Sequence, residues 1–148
     1  MTSPSFSAVL RLLGTSARLE QRFTNSLGSL HGLALREVLL MMHLDRAPRR
    51  RLSRIDLARH LYVSPSTVTR MAAPLEKLGV VGREADPRDA RLAYVVLTDA
   101  GQELVANAQA SLQSMAADVF RDRWTKADIA ALAELLGRLA AGHPGDLG

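Results

Sequence analysis

Two serines each open a stretch that reads as a short helix, and the second stretch is bounded on both sides by residues that fix its length. In "SPSTVTRMAAPLEKLG", residues 64–79, Ser64 is placed as an N-cap and Pro65 at the first helical position, where a missing amide hydrogen costs nothing. Gly79 can close the helix in a left-handed conformation. Upstream, Ser53 followed by Asp56 resembles a capping box with Asp where Glu or Gln is usual. Ile55, Leu57, Ala58 and Leu61 then give a helix ending near Leu61. Two short helices around the turn "HLYVS" leave room only for a tight corner.

After Gly79 the hydrophobic period changes. "VVGREA" and "RLAYVVL" are rich in β-branched residues and enclose "DPRDA", which has the Pro and Asp of a turn. A small antiparallel hairpin is predicted. Before the corner, a first helix over 6–27 carries Phe6, Val9, Leu10, Leu13, Ala17, Phe23 and Leu27 in one stripe, and "SLGSLHG" supplies a break. A second helix over 33–44 has Leu35, Val38, Leu39 and Met42 on one face, and "DRAPRRR" comes next as a basic loop. Thr98 caps a helix to about Arg121, with Leu104, Val105, Ala108, Leu112, Met115 and Val119 in register. Thr125 and Asp128 start a last helix bearing Ile129, Leu132, Leu135, Leu136 and Leu139. The tail "GHPGDLG" is expected to fray. The fold class is therefore mainly α with a small β-hairpin wing: a winged helix-turn-helix with helices at either end.

Composition narrows the chemistry. There is no cysteine, which removes disulfides, thiolate zinc sites and cysteine nucleophiles together. The longest apolar run, "VLLMM", is far shorter than the roughly 20 residues that span a bilayer. No membrane partner is expected, and the chain reads as cytoplasmic. Aromatic residues are only 4% of 148, too few for stacked-base platforms. The net charge of +4 is unevenly spread: Arg46 to Arg91 holds 11 Lys or Arg against 5 Asp or Glu, and the remainder 8 against 10. A positive middle between mildly acidic flanks suits a polyanion-binding module on a separate scaffold.

The helix after Ser64 then acquires a role. Base edges are read from the first turns of such a helix, where small hydroxyl residues let the backbone approach and exposed amides attract phosphate. Ser66, Thr67, Thr69 and Arg70 form the reading set, with Val68, Met71, Leu75 and Leu78 on the buried face. Capping alone accounts for Ser64 but not for Thr67 and Thr69 inside the helix. At the hairpin tip, Arg88 and Arg91 suit a minor groove, and Asp89 orients Arg91; the competing reading is a solvated turn neutralised with Asp86. Arg49, Arg50, Arg51 and Arg54 are the phosphate-contacting candidates. Pro74 removes one helical hydrogen bond and clashes with the Arg70 carbonyl, which predicts a kink just after the reading residues.

"LEKLGVVGREADPRDARLAYVVLTDAG", residues 75–101, resembles the wing signature of the MarR family of bacterial transcriptional regulators, with its Asp-x-Arg tip at 89–91, then Leu97-Thr98 and Gly101. "LALREVLLMM" and "LSRIDLARHLYVSPSTVTR" fall where that family has its second helix and reading head. The resemblance implies a homodimer that binds double-stranded DNA at pseudo-palindromic operators, commonly as a repressor released by small anionic or phenolic effectors. It implies Pro65, Ser66, Thr67, Thr69 and Arg70 as recognition-helix residues, Arg91 with Asp89 as the wing contact, and Arg83 as a brace. It divides the chain into a reading head over 33–97 and a dimerisation region over 1–32 and 98–148. Arg18, Arg22 and His31 are the residues that can meet an effector anion, although charged residues on a first helix also suit a solvated dimer rim.

Three other readings remain on the sequence. His31, His43, His60 and His143 raise metal sensing, but none makes an i, i+4 pair with another. An enzyme lacks any phosphate loop, nucleophile elbow or paired carboxylate motif, and no cofactor is implied. A winged helix that binds protein would lack the steep salt dependence of phosphate contacts.

Overall fold

The computed structural model describes residues 1–148. It contains six helices and three strands: α1 Pro4–His31, α2 Leu35–Arg46, β1 Arg51–Ser53, α3 Arg54–Leu61, α4 Pro65–Lys77, β2 Val81–Ala85, β3 Ala93–Leu97, α5 Asp99–Val119 and α6 Lys126–Ala140. Met1–Leu35 and Arg36–Gly148 are two compact units.

The first unit is essentially α1. The Ser3 hydroxyl accepts from the Phe6 amide at 3.2 Å and Pro4 takes the first helical position. Of the two glycines expected to break this helix, Gly28 lies inside it and Gly32 ends it with φ +70. An interior glycine costs about 1 kcal/mol, which a helix of 28 residues absorbs, whereas the left-handed closing residue needs a glycine. The Leu35 amide donates to the Thr24 hydroxyl at 3.2 Å and fixes the exit turn. Of the expected apolar stripe, Leu27 is buried, while Phe6, Val9, Leu10 and Leu13 are exposed.

In the second unit α2 is buried along the whole run Leu40–Leu44 rather than along one stripe. Val38 and Met42 are buried as expected, but Leu35 and Leu39 are only half-buried. A helix apolar on most sides is a core helix, and "LLMMHL" has no wide polar face to present. Leu57 and Ala58 of α3, Val68, Ala72 and Leu75 of α4, and Val80, Val81, Val95 and Leu97 of the hairpin are buried with it. On α4 the buried set is Val68, Ala72 and Leu75; Met71 is half-buried, and Leu78, expected inside, is 63% exposed. Leu78 is the capping residue, where the chain leaves the helix for Gly79 at φ +75, so the periodicity no longer governs it. The helix runs through Pro74 to Lys77.

The sheet has three strands, not two, in the antiparallel order β1-β3-β2, with Arg51 opposite Val96 and Val81 opposite Leu97. β1 is three residues, too short for an alternating pattern. It forms because β3 otherwise leaves an unpaired edge. The hairpin, α4 and α5 meet at Thr98. Its hydroxyl donates to the Gly79 carbonyl at 2.7 Å and accepts from the Gly101 amide at 3.1 Å, and its amide donates to the Val80 carbonyl at 3.1 Å. Gly101 is required here: a Cβ would lie 2.0 Å from the Val80 carbonyl oxygen. α6 opens with a complete capping box of Thr125 and Asp128, and none of its residues is buried. The tail does not fray. It turns back after Gly142 at φ +80 and stacks His143 on Tyr62 of the α3–α4 corner.

The core sets two measurable outcomes. Gly101→Ala should lower unfolding stability by roughly 2–3 kcal/mol in urea titration, because backbone must move to admit the methyl group; unchanged stability would mean that α5 does not press on Val80. His43 is 6% exposed, and burial first, then His60 and Arg46, push its pKa down to about 4. Its folded pKa is below the unfolded value, so its neutral form stabilises the fold fully above about pH 6.5 and that contribution is lost as pH falls toward 4. His43→Leu should therefore flatten the pH dependence of stability between those values, by roughly 2–3 kcal/mol at the acid end.

Candidate nucleic-acid interface

The start of α4 is built from hydroxyls that bond to one another. Ser64 Oγ accepts from the Thr67 amide at 3.2 Å and lies 3.0 Å from Ser66 Oγ and 2.9 Å from Thr67 Oγ1. Thr67 Oγ1 also accepts from Arg70 Nη2 at 3.2 Å. Thr69 Oγ1 donates to the Pro65 carbonyl at 3.2 Å and accepts from Arg54 Nη1 at 3.2 Å. Thr67 thus takes part in the cap, contrary to the expectation that capping accounts for Ser64 alone. Thr69 has a local backbone partner as well. Both can exchange these partners by rotating a hydroxyl, with no movement of the helix. Because Val68, Ala72 and Leu75 take the core face, Ser66, Thr69 and Arg70 are exposed, while Pro65 and Thr67 are half-buried.

The wing tip is held by two aspartates with distinct tasks. Asp86 Oδ1 accepts from the Arg88 amide at 2.7 Å and the Asp89 amide at 3.2 Å, and Asp86 Oδ2 accepts from the Tyr94 hydroxyl at 2.9 Å. Asp86 is therefore engaged with backbone and tyrosine rather than with an arginine. The amide of Arg88, then the Tyr94 hydroxyl, hold its carboxyl below the usual carboxylate range. Asp89 Oδ1 accepts from both the amide and Nε of Arg91, at 3.0 and 3.2 Å. The Arg91 side chain is nonetheless 91% exposed, and Arg88 is exposed beside it.

The basic residues around these two elements divide. Arg51 pairs with Glu84 at 2.6 Å and stacks over the Tyr94 ring at 4.4 Å, so its guanidinium is committed to the sheet. Its sequence position in "PRRR" did not reveal this bracing contact. Arg83 Nε donates to Glu76 Oε1 at 2.8 Å and ties β2 to α4. Arg54 joins the start of α3 to Thr69 of α4. Arg50 lies 3.8 Å from Asp45, Arg49 is exposed, and both have positive φ, at 51 and 57. A groove of about 80 Å³ between α4 and the sheet is lined by Arg54, Thr69, Glu76, Arg83 and Tyr94, among others. Tyr94 is the contributor that sequence reasoning missed, and Asp86 enters that reasoning only as a neutralising charge; "DP" signals the turn, but the tyrosine reaches it only through hairpin register.

The remaining sequence candidates sit elsewhere. Arg18 and Arg22 are exposed and His31 is half-buried, all on α1. His43 and His60 meet edge to face at 5.1 Å across α2 and α3, although no group of three His, Asp or Glu side chains is placed to hold a metal ion. No helix is long and apolar enough to cross a membrane.

The MarR family model matches residues 33–92, the span of α2, the helix-turn-helix and most of the wing. Among solved structures, the chain is similar to Sco3205 of Streptomyces coelicolor, a MarR family transcriptional regulator crystallised in complex with DNA. That likeness has 28% identity and a TM-score of 0.80, covering 96% of this chain and 93% of that one. AbsC from the same organism shares 21% identity at a TM-score of 0.79, with 99% of each chain covered. Wild-type MarR of E. coli, in its apo form, shares 21% at 0.74, covering 94% and 97%. No curated protein matches the chain. The fold is that of these winged helix-turn-helix regulators, and the MarR family match covers residues 33–92 of the chain.

The wing geometry sets a measurable expectation. Asp86 contributes order at neutral pH that is lost as pH falls through its lowered pKa. The amide resonances of Arg88 and Asp89 should titrate together below the usual carboxylate range, and Tyr94→Phe should move that titration upward. Independent titration of the two amides would show that Asp86 does not hold the turn.

Proposed function

We propose that the chain works as a homodimer that reads a pseudo-palindromic DNA site, with α4 in the major groove and the wing in the adjacent minor groove. The observation that carries this reading is that Ser66, Thr69 and Arg70 are exposed at the opening of a core-anchored helix while Arg88 and Arg91 are exposed at a braced wing tip. Pro65 and Thr67 complete the recognition set. Arg70 reaches for a base or phosphate by leaving Thr67, and Arg91 enters a narrow groove with Asp89 setting its direction. Arg49, Arg50 and Arg54 supply phosphate contacts. The DNA complex of Sco3205 supports the same use of the fold.

The homodimer is supported by apolar surface outside the reading head. Leu13 of α1 and Leu139 of α6 are 63% and 72% exposed, with Phe6, Leu10 and Leu135 beside them in sequence register. Exposed leucines at this density suit an interface core. Helix α1 with α5 and α6 forms the dimerisation region, leaving 33–97 as the reading head; the two-fold axis then sets half-sites about 34–36 Å apart or a multiple of that. Repression relieved by a small anionic or phenolic effector completes the reading.

The test is fluorescence anisotropy on the upstream intergenic duplex and a scrambled duplex, each titrated with salt. Wild-type protein should prefer the former. Arg70→Ala should weaken its binding by about 1–3 kcal/mol and narrow the preference, and Arg91→Ala should weaken it with a smaller salt slope. Weak, equal binding to both duplexes would instead favour a winged helix that docks protein.

A further inference from the structure

Residues 142–148, "GHPGDLG", carry no amphipathic pattern, yet they are held on the reading head at three separate places. The His143 ring stacks on Tyr62 with centroids 4.2 Å apart and planes 15° from parallel. Arg46 Nη1 donates to the Leu147 carbonyl at 2.6 Å. Between these anchors, Gly145 lies so close to the α3–α4 corner that a Cβ would come within 2.6 Å of both the His60 carbonyl oxygen and Tyr62 Cε2. The segment also has its own internal shape: the Gly145 amide donates to His143 Nδ1 at 3.0 Å and the Asp146 amide to the His143 carbonyl at 3.1 Å.

The surface they cover matters because of where it lies. Tyr62 is the last residue of the corner to leave α3, with φ +58, a left-handed conformation that costs a tyrosine more than a glycine. Two residues later Ser64 caps α4. Whatever fixes the Tyr62 ring therefore fixes the pivot from which the recognition helix starts. The geometry points to residues 142–148 as an intramolecular strap: His143, Gly145 and Leu147 are positioning residues that clamp the corner and join it to the end of α6. The role of α4 in this strap rests on the DNA reading above; the clamp itself does not.

Gly145→Val in the whole chain tests it, since the added carbons collide only with the corner and leave the core untouched. His143→Ala serves as a second variant that removes the stack without a collision. Hydrogen exchange of the free protein should show amides from Tyr62 to Thr67 opening about ten-fold faster in both variants, with the core amides of α2 unchanged. Unchanged exchange at the corner in both overturns the strap, whether or not the chain binds DNA. In the anisotropy assay, the variants should bind the specific duplex several-fold more weakly with the same salt slope, because a pivot is loosened and no phosphate contact is lost. An altered slope would make the tail a direct DNA contact and overturn positioning, as would unaltered affinity alongside faster exchange.

Discussion

Thr98 is bonded to three elements at once, and the arrangement of the reading head depends on it. Its hydroxyl satisfies the Gly79 carbonyl where α4 ends, its amide satisfies the Val80 carbonyl where the wing begins, and the same hydroxyl caps α5 through Gly101. Carbonyls at a helix end need partners from outside the helix. By supplying one from the first turn of the next scaffold helix, the chain makes the recognition helix, the wing and α5 share a single junction. Gly101 completes it, since any side chain there would strike the Val80 carbonyl.

From that junction outward, the ties pass from backbone to side-chain pairs. Arg83 and Glu76 tie β2 to α4, and Arg51, Glu84 and Tyr94 tie β1 to both strands of the hairpin. These are surface pairs, each worth little alone, but they link successive strands into one network. The outermost members, Arg88 and Arg91, are fixed only through backbone bonds to Asp86 and the pairing with Asp89. The wing can thus be ordered at its base while its arginines keep their reach.

Much of this was legible because helix ends are local chemistry. Ser53, Ser64, Thr98 and Thr125 all cap the helices expected of them, and Gly79 has the positive φ read from its position. Features decided by distant partners were not legible. β1 exists only because β3 offers an edge, Arg51 is drawn inward by Tyr94 and Glu84, and Leu78 is exposed because the helix stops one residue before it. The tail reads as polar and glycine-rich, yet shape alone seats Gly145 against His60 and Tyr62. For the interface, residue types and their positions on α4 and the wing could be read, whereas the local partners of Thr67, Thr69 and Asp86 required the fold.

Pro74 has a mechanical consequence for α4. The helix is continuous, but proline has no amide hydrogen, so the Arg70 carbonyl lacks its usual donor at the point where the exposed Ser66, Thr69 and Arg70 give way to the anchored end at Leu75. One missing rung there makes the helix more compliant across its middle than at either end. The first half of the helix can tilt by small angles against its own root while Val80 and Thr98 stay still.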